Sequence, residues 1–173
     1  MSARPPIVAI AAADLDDGIA RAGSLPWRIP SDLKRFRRLT TGEGRSAVIM
    51  GRLTFMAPEV AGRPLPRRLN VVLSRQPAPA QLADGVVWAA TWEEALAACE
   101  GCEAIWVVGG GEVYADAFAR DLVDAVELTR VEGRFGCDRF WPGLPAGRFT
   151  RVAADSREDG GLTVTDERWE RAG

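Results

Sequence analysis

Histidine is absent from all 173 residues. Its absence removes Ser–His and Cys–His nucleophilic pairs and every histidine metal site, leaving carboxylates, tyrosine and lysine to handle protons. Cysteine is nearly as scarce. Cys99, Cys102 and Cys137 form an odd, sparse set, which argues against a disulfide framework and for a reducing, cytoplasmic setting. Cys99 and Cys102 have redox-motif spacing, but no thioredoxin-like context surrounds them and no second pair completes a zinc site. Two plain thiols at a helix end are expected, and no metal. A net charge of −2 gives no global field to attract nucleic acid or acidic membranes, so a bound anion must be held locally. The basic run Lys34-Arg35-Phe36-Arg37-Arg38 lies inside an amphipathic helix pattern and reads as a solvated face lining a site. Long apolar runs are also missing. Ile7–Ala13 is too short to span a membrane and has only Arg4 before it, so despite Ala11-Ala12-Ala13 it reads as a buried strand, not a signal peptide.

What remains is ordinary for a globular protein, with 47% hydrophobic and 27% charged residues. The length suits one domain, residues 1–173, whose core needs no staples. Ile7–Ala13, Ala47–Met50, Leu69–Leu73 and Ala104–Val108 are short apolar runs without in/out alternation, as expected of parallel strands covered on both faces. Helical patterns fall between and after them: Asp32–Thr40, a short helix from Arg52, Trp92–Ala98 and Glu112–Arg120. The alternation predicts right-handed crossovers in a doubly wound α/β sheet. Ala125–Thr129, Phe149–Ala154 and Leu162–Trp169 are strand-like with no helix between them. The Glu158-Asp159-Gly160-Gly161 break predicts a hairpin, so antiparallel strands are expected at the sheet edge.

Ligands of open α/β sheets sit at the carboxyl ends of strands. Gly51-Arg52-Leu53-Thr54 follows the second apolar run, Ser74-Arg75 the third, and Gly109-Gly110-Gly111 the fourth. Each combines close backbone approach or free N–H groups with a hydroxyl or a guanidinium, the chemistry of phosphate binding. Singly they read as turn and surface residues. Three in a row suggest one dinucleotide lying across the sheet, and two arginines beyond the need of a pyrophosphate suit an extra 2′-phosphate, hence NADPH. The spacing is not that of a standard Rossmann fingerprint.

Asp32 borders the helical stripe Leu33, Phe36, Leu39. Position alone favours a helix N-terminal acid stabilised by the macrodipole, by ~0.3–1 kcal/mol. Trp27 just upstream speaks for a pocket wall beside a half-buried acid, which costs free energy unless paired.

Together these residues resemble bacterial-type dihydrofolate reductase. The matching segments are Gly18-Ile19…Gly23-Ser24-Leu25-Pro26-Trp27, Pro30–Phe36, Val48–Thr54, Gly62–Arg75, Val108–Tyr114 and Leu128-Thr129, in order from about residue 7 to Pro142. The resemblance implies a mostly parallel central sheet flanked by helices with antiparallel C-terminal strands, NADPH as cofactor, and reduction of 7,8-dihydrofolate to tetrahydrofolate. Asp32 would hold the pterin amidine edge, buttressed by Thr129, and promote protonation of N5. Trp27 and Tyr114 would complete the catalytic group, Tyr114 near the nicotinamide. Ala12, Leu25, Phe36 and Val108 would wall the substrate, and Arg68 would pair with the α-carboxylate of its glutamate tail, flanked by Arg37 and Arg63. Ala12, Ile19, Gly51, Arg52, Leu53, Thr54, Leu73, Ser74, Arg75, Val108, Gly109, Gly110, Gly111, Val113 and Tyr114 would contact the cofactor, with a cis peptide at Gly109-Gly110. The family also implies antifolate binding, a monomer, and no nucleic-acid or membrane partner.

The chain departs from the family pattern at Ala20, where glycine is usual in the mobile loop, and at Glu112, where some members carry arginine. A third departure is the longer connection Ala57-Pro58-Glu59. Asp138 matches a position that steadies that loop in some members. Two other readings stand beside this one. A riboflavin-pathway pyrimidine or pterin reductase would share the fold and cofactor but has no glutamate tail for Arg68. A non-catalytic dinucleotide-binding module would need neither Asp32 nor Arg68.

Overall fold

The computed structural model describes residues 3–173. Strand β1 (Ile7–Ala13) lies at the middle of an eight-stranded sheet, between β6 (Ile105–Gly109) and β7 (Ala125–Val131), and runs parallel to both. On the far side of β6 follow β3 (Ala47–Gly51), β4 (Leu69–Leu73) and β5 (Val86–Ala89), all parallel. Beyond β7 lie β10 (Leu162–Arg171) and the edge strand β9 (Phe149–Asp159), both antiparallel to their neighbours. A separate ribbon joins β2 (Gly18–Ala20) to β8 (Arg139–Phe140).

The four apolar runs are continuous because alternate residues bury into opposite layers. Ile7, Ala9 and Ala11 face one core with Ile49, Val71, Ile105 and Val107, covered by α3 (Trp92–Ala98) and α4 (Gly111–Ala119) through Trp92, Ala95, Ala117 and Phe118. Val8, Ile10, Val48, Met50, Val72 and Trp106 face the other. There α1 (Pro30–Thr41) adds Phe36 and Leu39, and α2 (Arg52–Met56) adds Phe55. Each fully buried Val or Ile contributes about 1.5–3 kcal/mol. A third cluster, Trp27, Ile29, Val131 and Val164, closes the sheet beside β10.

Most expected elements are present within a residue or two, including the hairpin, whose Gly160 and Gly161 both take positive φ. Two expectations need correction. The segment Ala125–Thr129 is not antiparallel: α4 carries the chain back, so β7 pairs parallel to β1, and only β9 and β10 reverse. Leu33 does not pack with Phe36 and Leu39. It is 48% exposed, because the start of α1 overhangs a cleft instead of the sheet. The cysteines are free. Cys99 caps the end of α3, and burial pushes its thiol up to about 12, as suits an inert structural thiol.

Candidate active site

The carboxyl ends of β4, β3, β6 and β1 are neighbours along one edge of the sheet, so the strand-end segments separated in sequence converge in space. Gly51 ends β3 directly before α2. A Cβ there would lie 3.2 Å from Val113 Cγ2, so glycine permits this helix start to approach α4. The Gly109–Gly110 peptide is cis, with Gly109 at φ 128°. Thr54 Oγ1 and the Tyr114 hydroxyl flank it, each 3.4–3.6 Å from where Cβ atoms would stand. Helix α4 opens at Gly111 behind Gly110 with no side-chain cap, which leaves its first N–H groups for a ligand. A side chain at Gly111 is impossible, since its Cβ would meet the Phe140 carbonyl oxygen at 2.5 Å. Leu73 and Ser74 stand at the end of β4, with Arg75 exposed beyond them and Leu53 65% exposed on α2. This cradle of free N–H groups, hydroxyls and arginines fits a dinucleotide bearing an extra phosphate.

A cleft of about 230 Å³ opens next to it, lined by Leu25, Trp27, Ile29, Asp32, Leu33 and Glu59. Asp32 lies in the first turn of α1, which starts at Pro30, a residue preorganised for that position. Its Oδ1 accepts from Thr129 Oγ1 at 2.7 Å. Thr129 is in turn aligned across the sheet with Ala12. Burial raises the Asp32 pKa and the nearby Asp166 charge adds to this, while the Thr129 hydrogen bond, Arg35 and Arg157 oppose it; the net direction is upward. Trp27 is nearly buried and packs edge-on against Phe135, with ring centroids 5.2 Å apart, so its indole is a fixed wall.

Arg68 is 8% exposed. Its Nε donates to the Pro66 carbonyl and its Nη1 to Thr40 Oγ1, both at 2.9 Å. No carboxylate among the described residues pairs with it. Burial lowers its pKa, and the Arg37 and Arg67 charges lower it further. A buried guanidinium with cations beside it favours the approach of an anion. Arg63 is exposed on the loop before it.

The remaining expected residues have these settings. The Tyr114 hydroxyl is buried and donates to the Ile10 carbonyl at 2.5 Å, and burial drives its pKa far upward. It braces β1 against α4. Phe36 packs on the sheet core. Ile19 lies half-buried in β2, and Val108 half-buried at the end of β6. Ala20 takes an extended strand conformation in β2, paired with Arg139, so the loop needs no glycine there. Glu112 is exposed in the first turn of α4.

Two residues escaped the sequence reading. Asp14, 1% exposed, accepts from the backbone N–H groups of Asp16, Gly18 and Phe135 at 2.8–3.0 Å and so ties the β1–β2 loop to the segment before β8. Only its position in Asp14-Leu15-Asp16-Asp17-Gly18, a run typical of Asx turns, could have signalled it. Asp138 adds to the same tie by accepting from Ala22 N at 3.0 Å. Glu59, from the lengthened connection, accepts from Ser24 Oγ at 2.5 Å and Leu25 N at 2.8 Å. It closes one side of the cleft mouth, and nothing local in its sequence announces the contact.

Comparison with known proteins agrees with this arrangement. Residues 6–171 match the family described as Dihydrofolate reductase. The chain is 40% identical over 146 residues to the dihydrofolate reductase of Drosophila melanogaster, covering 80% of each chain. It is 38% identical over 135 residues to that of Haemophilus influenzae, covering 78% of each. The structure of dihydrofolate reductase from Enterococcus faecalis, complexed with NADP(H) and RAB-propyl, superposes with a TM-score of 0.82 at 30% identity and 98% coverage of both chains. The chain belongs to the dihydrofolate reductase family.

Proposed function

We infer that this protein catalyses the NADPH-dependent reduction of 7,8-dihydrofolate to 5,6,7,8-tetrahydrofolate. One observation carries the reading: a half-buried carboxylate, Asp32, braced by Thr129, lies in a cleft beside the glycine-rich strand ends. When bound, NADPH supplies the hydride that adds to pterin C6. Asp32 accepts hydrogen bonds from the amidine edge of the pterin and, through its raised pKa, favours protonation at N5 near neutral pH. It orients the ring and need not hand over the proton itself. Trp27 and Leu25 exclude water from one wall. Arg68 takes the glutamate α-carboxylate with its free Nη2, its Nε and Nη1 being held by Pro66 and Thr40, and Arg37 and Arg63 flank the tail. Arg52, Thr54, Ser74 and Arg75 hold the cofactor phosphates. Gly51, Gly109, Gly110 and Gly111 allow its close approach, and Ala12, Ile19, Leu53, Leu73, Val108 and Val113 supply apolar contact.

The same reading includes a single domain over residues 1–173, a monomer, and a cytoplasmic setting, which the three free cysteines support. No helix among the described residues is long and apolar enough to cross a membrane. The test is loss of NADPH absorbance on adding dihydrofolate. Turnover with dihydrofolate and none with riboflavin-pathway pyrimidines is expected. The reverse preference would assign the site to the pyrimidine reductases, and cofactor binding without turnover of either would make it a binding module.

A further inference from the structure

Behind Asp32, on the side away from the cleft, the structure assembles a compact ionic cluster. It reaches a second, open cleft of about 340 Å³ lined by Ser31, Lys34, Arg35, Arg38, Arg157 and Asp166. Asp166 on β10 is aligned with Thr129 on β7, and Arg168 with Glu127. The period of two places all four on the face that carries Asp32. Thr129 Oγ1, 2.7 Å from Asp32 Oδ1, is also 3.3 Å from Asp166 Oδ1. A hydroxyl has one proton, and the shorter contact claims it for Asp32. Asp166 therefore faces Asp32 across a single threonine oxygen with no proton between itself and that oxygen.

Two arginines pair with Asp166: Arg157 Nη1 donates to its Oδ2, and Arg35 Nε lies 3.4 Å from the same oxygen. Arg35 also donates to Glu127 Oε2, whose other oxygen takes Arg168 Nη1 at 2.9 Å. Asp32, Asp166 and Glu127 thus meet Arg35, Arg157 and Arg168 in equal number. Further charges face the cluster from every packed element. Lys34 and Arg38 lie on α1, Asp155 is opposite Asp166 on β9, and Asp159 accepts from Ser31 N. Glu170 lies 3.5 Å from Arg168 on β10, and the neutral Tyr114 is on α4.

We propose that Asp166 is a positioning residue for the reaction: a second carboxylate which, across Thr129, sets the pH range over which Asp32 serves the pterin, with Arg35 and Arg157 as the cations that limit its influence. Substrate never touches it. The negative charge behind Asp32 disfavours a second charge in front, so the Asp32 carboxyl keeps its proton to higher pH. Burial of Asp32 acts in the same direction, and the arginines keep the coupling from becoming a fully shared proton.

This proposal rests on the dihydrofolate reductase reading, so its test carries one arm that needs no turnover. Carbon-13 carboxyl NMR of the full chain follows the titration of Asp32 in the wild type, Asp166→Asn and Arg157→Gln. In parallel, single-turnover hydride transfer from NADPH to dihydrofolate is measured against pH. Asp166→Asn removes one negative charge and leaves the arginines unopposed, so the Asp32 midpoint falls. The hydride-transfer rate on the alkaline side falls about three- to tenfold, within the range for coupled neighbours, and the acid plateau holds. Arg157→Gln moves both midpoints the opposite way. Opposite signs from two neighbours are not what general loosening produces. An Asp32 midpoint unchanged in both variants, or moved in one direction by both, overturns the proposal. Should Asp166→Asn fail to fold, Arg157→Gln decides alone, an upward shift supporting the coupling and no shift overturning it. Absent turnover of dihydrofolate would overturn the function and leave the carbon-13 arm to judge the coupling.

Discussion

Arg68 offers the sharpest separation of substrate recognition from chemistry. Its Nε and Nη1 are engaged by Pro66 and Thr40, which fix the guanidinium and leave Nη2 for the ligand. Replacing it with methionine removes the cation and keeps most of the buried volume. A hydrogen bond to a charged group is worth about 1.5–3 kcal/mol, so the loss corresponds to roughly 10- to 150-fold in dihydrofolate KM. The folded state should not suffer by a comparable amount. The arginine is a buried charge without a carboxylate partner, and removing such a charge relieves a desolvation cost that offsets its two lost hydrogen bonds. Steady-state kinetics with dihydrofolate and with a dihydropterin lacking the glutamate tail make the assay. KM for dihydrofolate rises, kcat changes less than about threefold because the contact is remote from C6 and equal in both states, and the tailless substrate shows no change. Equal losses on both substrates would refute the reasoning, since Arg68 would then be supporting the pocket rather than reading the tail.

Two further outcomes follow from the same geometry. Arg75→Ala weakens NADPH by ~1.5–3 kcal/mol while leaving NADH within about twofold; equal weakening in fluorescence titration would show that Arg75 does not read the 2′-phosphate. Glu59→Gln replaces the charged acceptor of Ser24 and Leu25 by a neutral amide oxygen, weakens the tie and speeds folate dissociation several-fold in stopped-flow measurements, with NADPH affinity unchanged. Burial raises the Glu59 pKa, but the Ser24 and Leu25 hydrogen bonds outweigh it and the net shift is downward. The tie is therefore complete above the usual glutamate range and is lost only as pH falls through the depressed folded value. The difference between wild type and variant should vanish below that point, and a difference that persists there would count against the tie.

The strands β1, β3, β4 and β6 were legible because burial on both faces leaves an uninterrupted apolar run, as in Ile7–Ala13. The converging strand ends were legible because parallel connections force the segments after β3, β4 and β6 onto one edge. Strand direction was not. Nothing in Ala125–Val131 distinguishes parallel from antiparallel pairing; the crossover through α4 decides it. The ribbon of β2 and β8 and the half-buried edge strand β5 are two to four residues long, too short to show a period. Asp32 was visible as an anomaly beside Trp27, but its electrostatic setting was not, since Arg35 and Glu127 lie 92 residues apart. Charges at that separation read as solvated faces until the fold brings them together, and the Glu59 tie was hidden for the same reason.

Asp32 is central to the proposed chemistry, and its most direct test is the pH dependence of hydride transfer in Asp32→Asn under single-turnover conditions. With the carboxyl group gone, nothing in the cleft favours protonation at N5 near neutral pH, and only a lower pH can supply it. The rate near pH 7 should fall by at least about 100-fold and recover progressively on acidification, with NADPH affinity unaltered. A wild-type rate at pH 7, or a loss that acid does not restore, would contradict it.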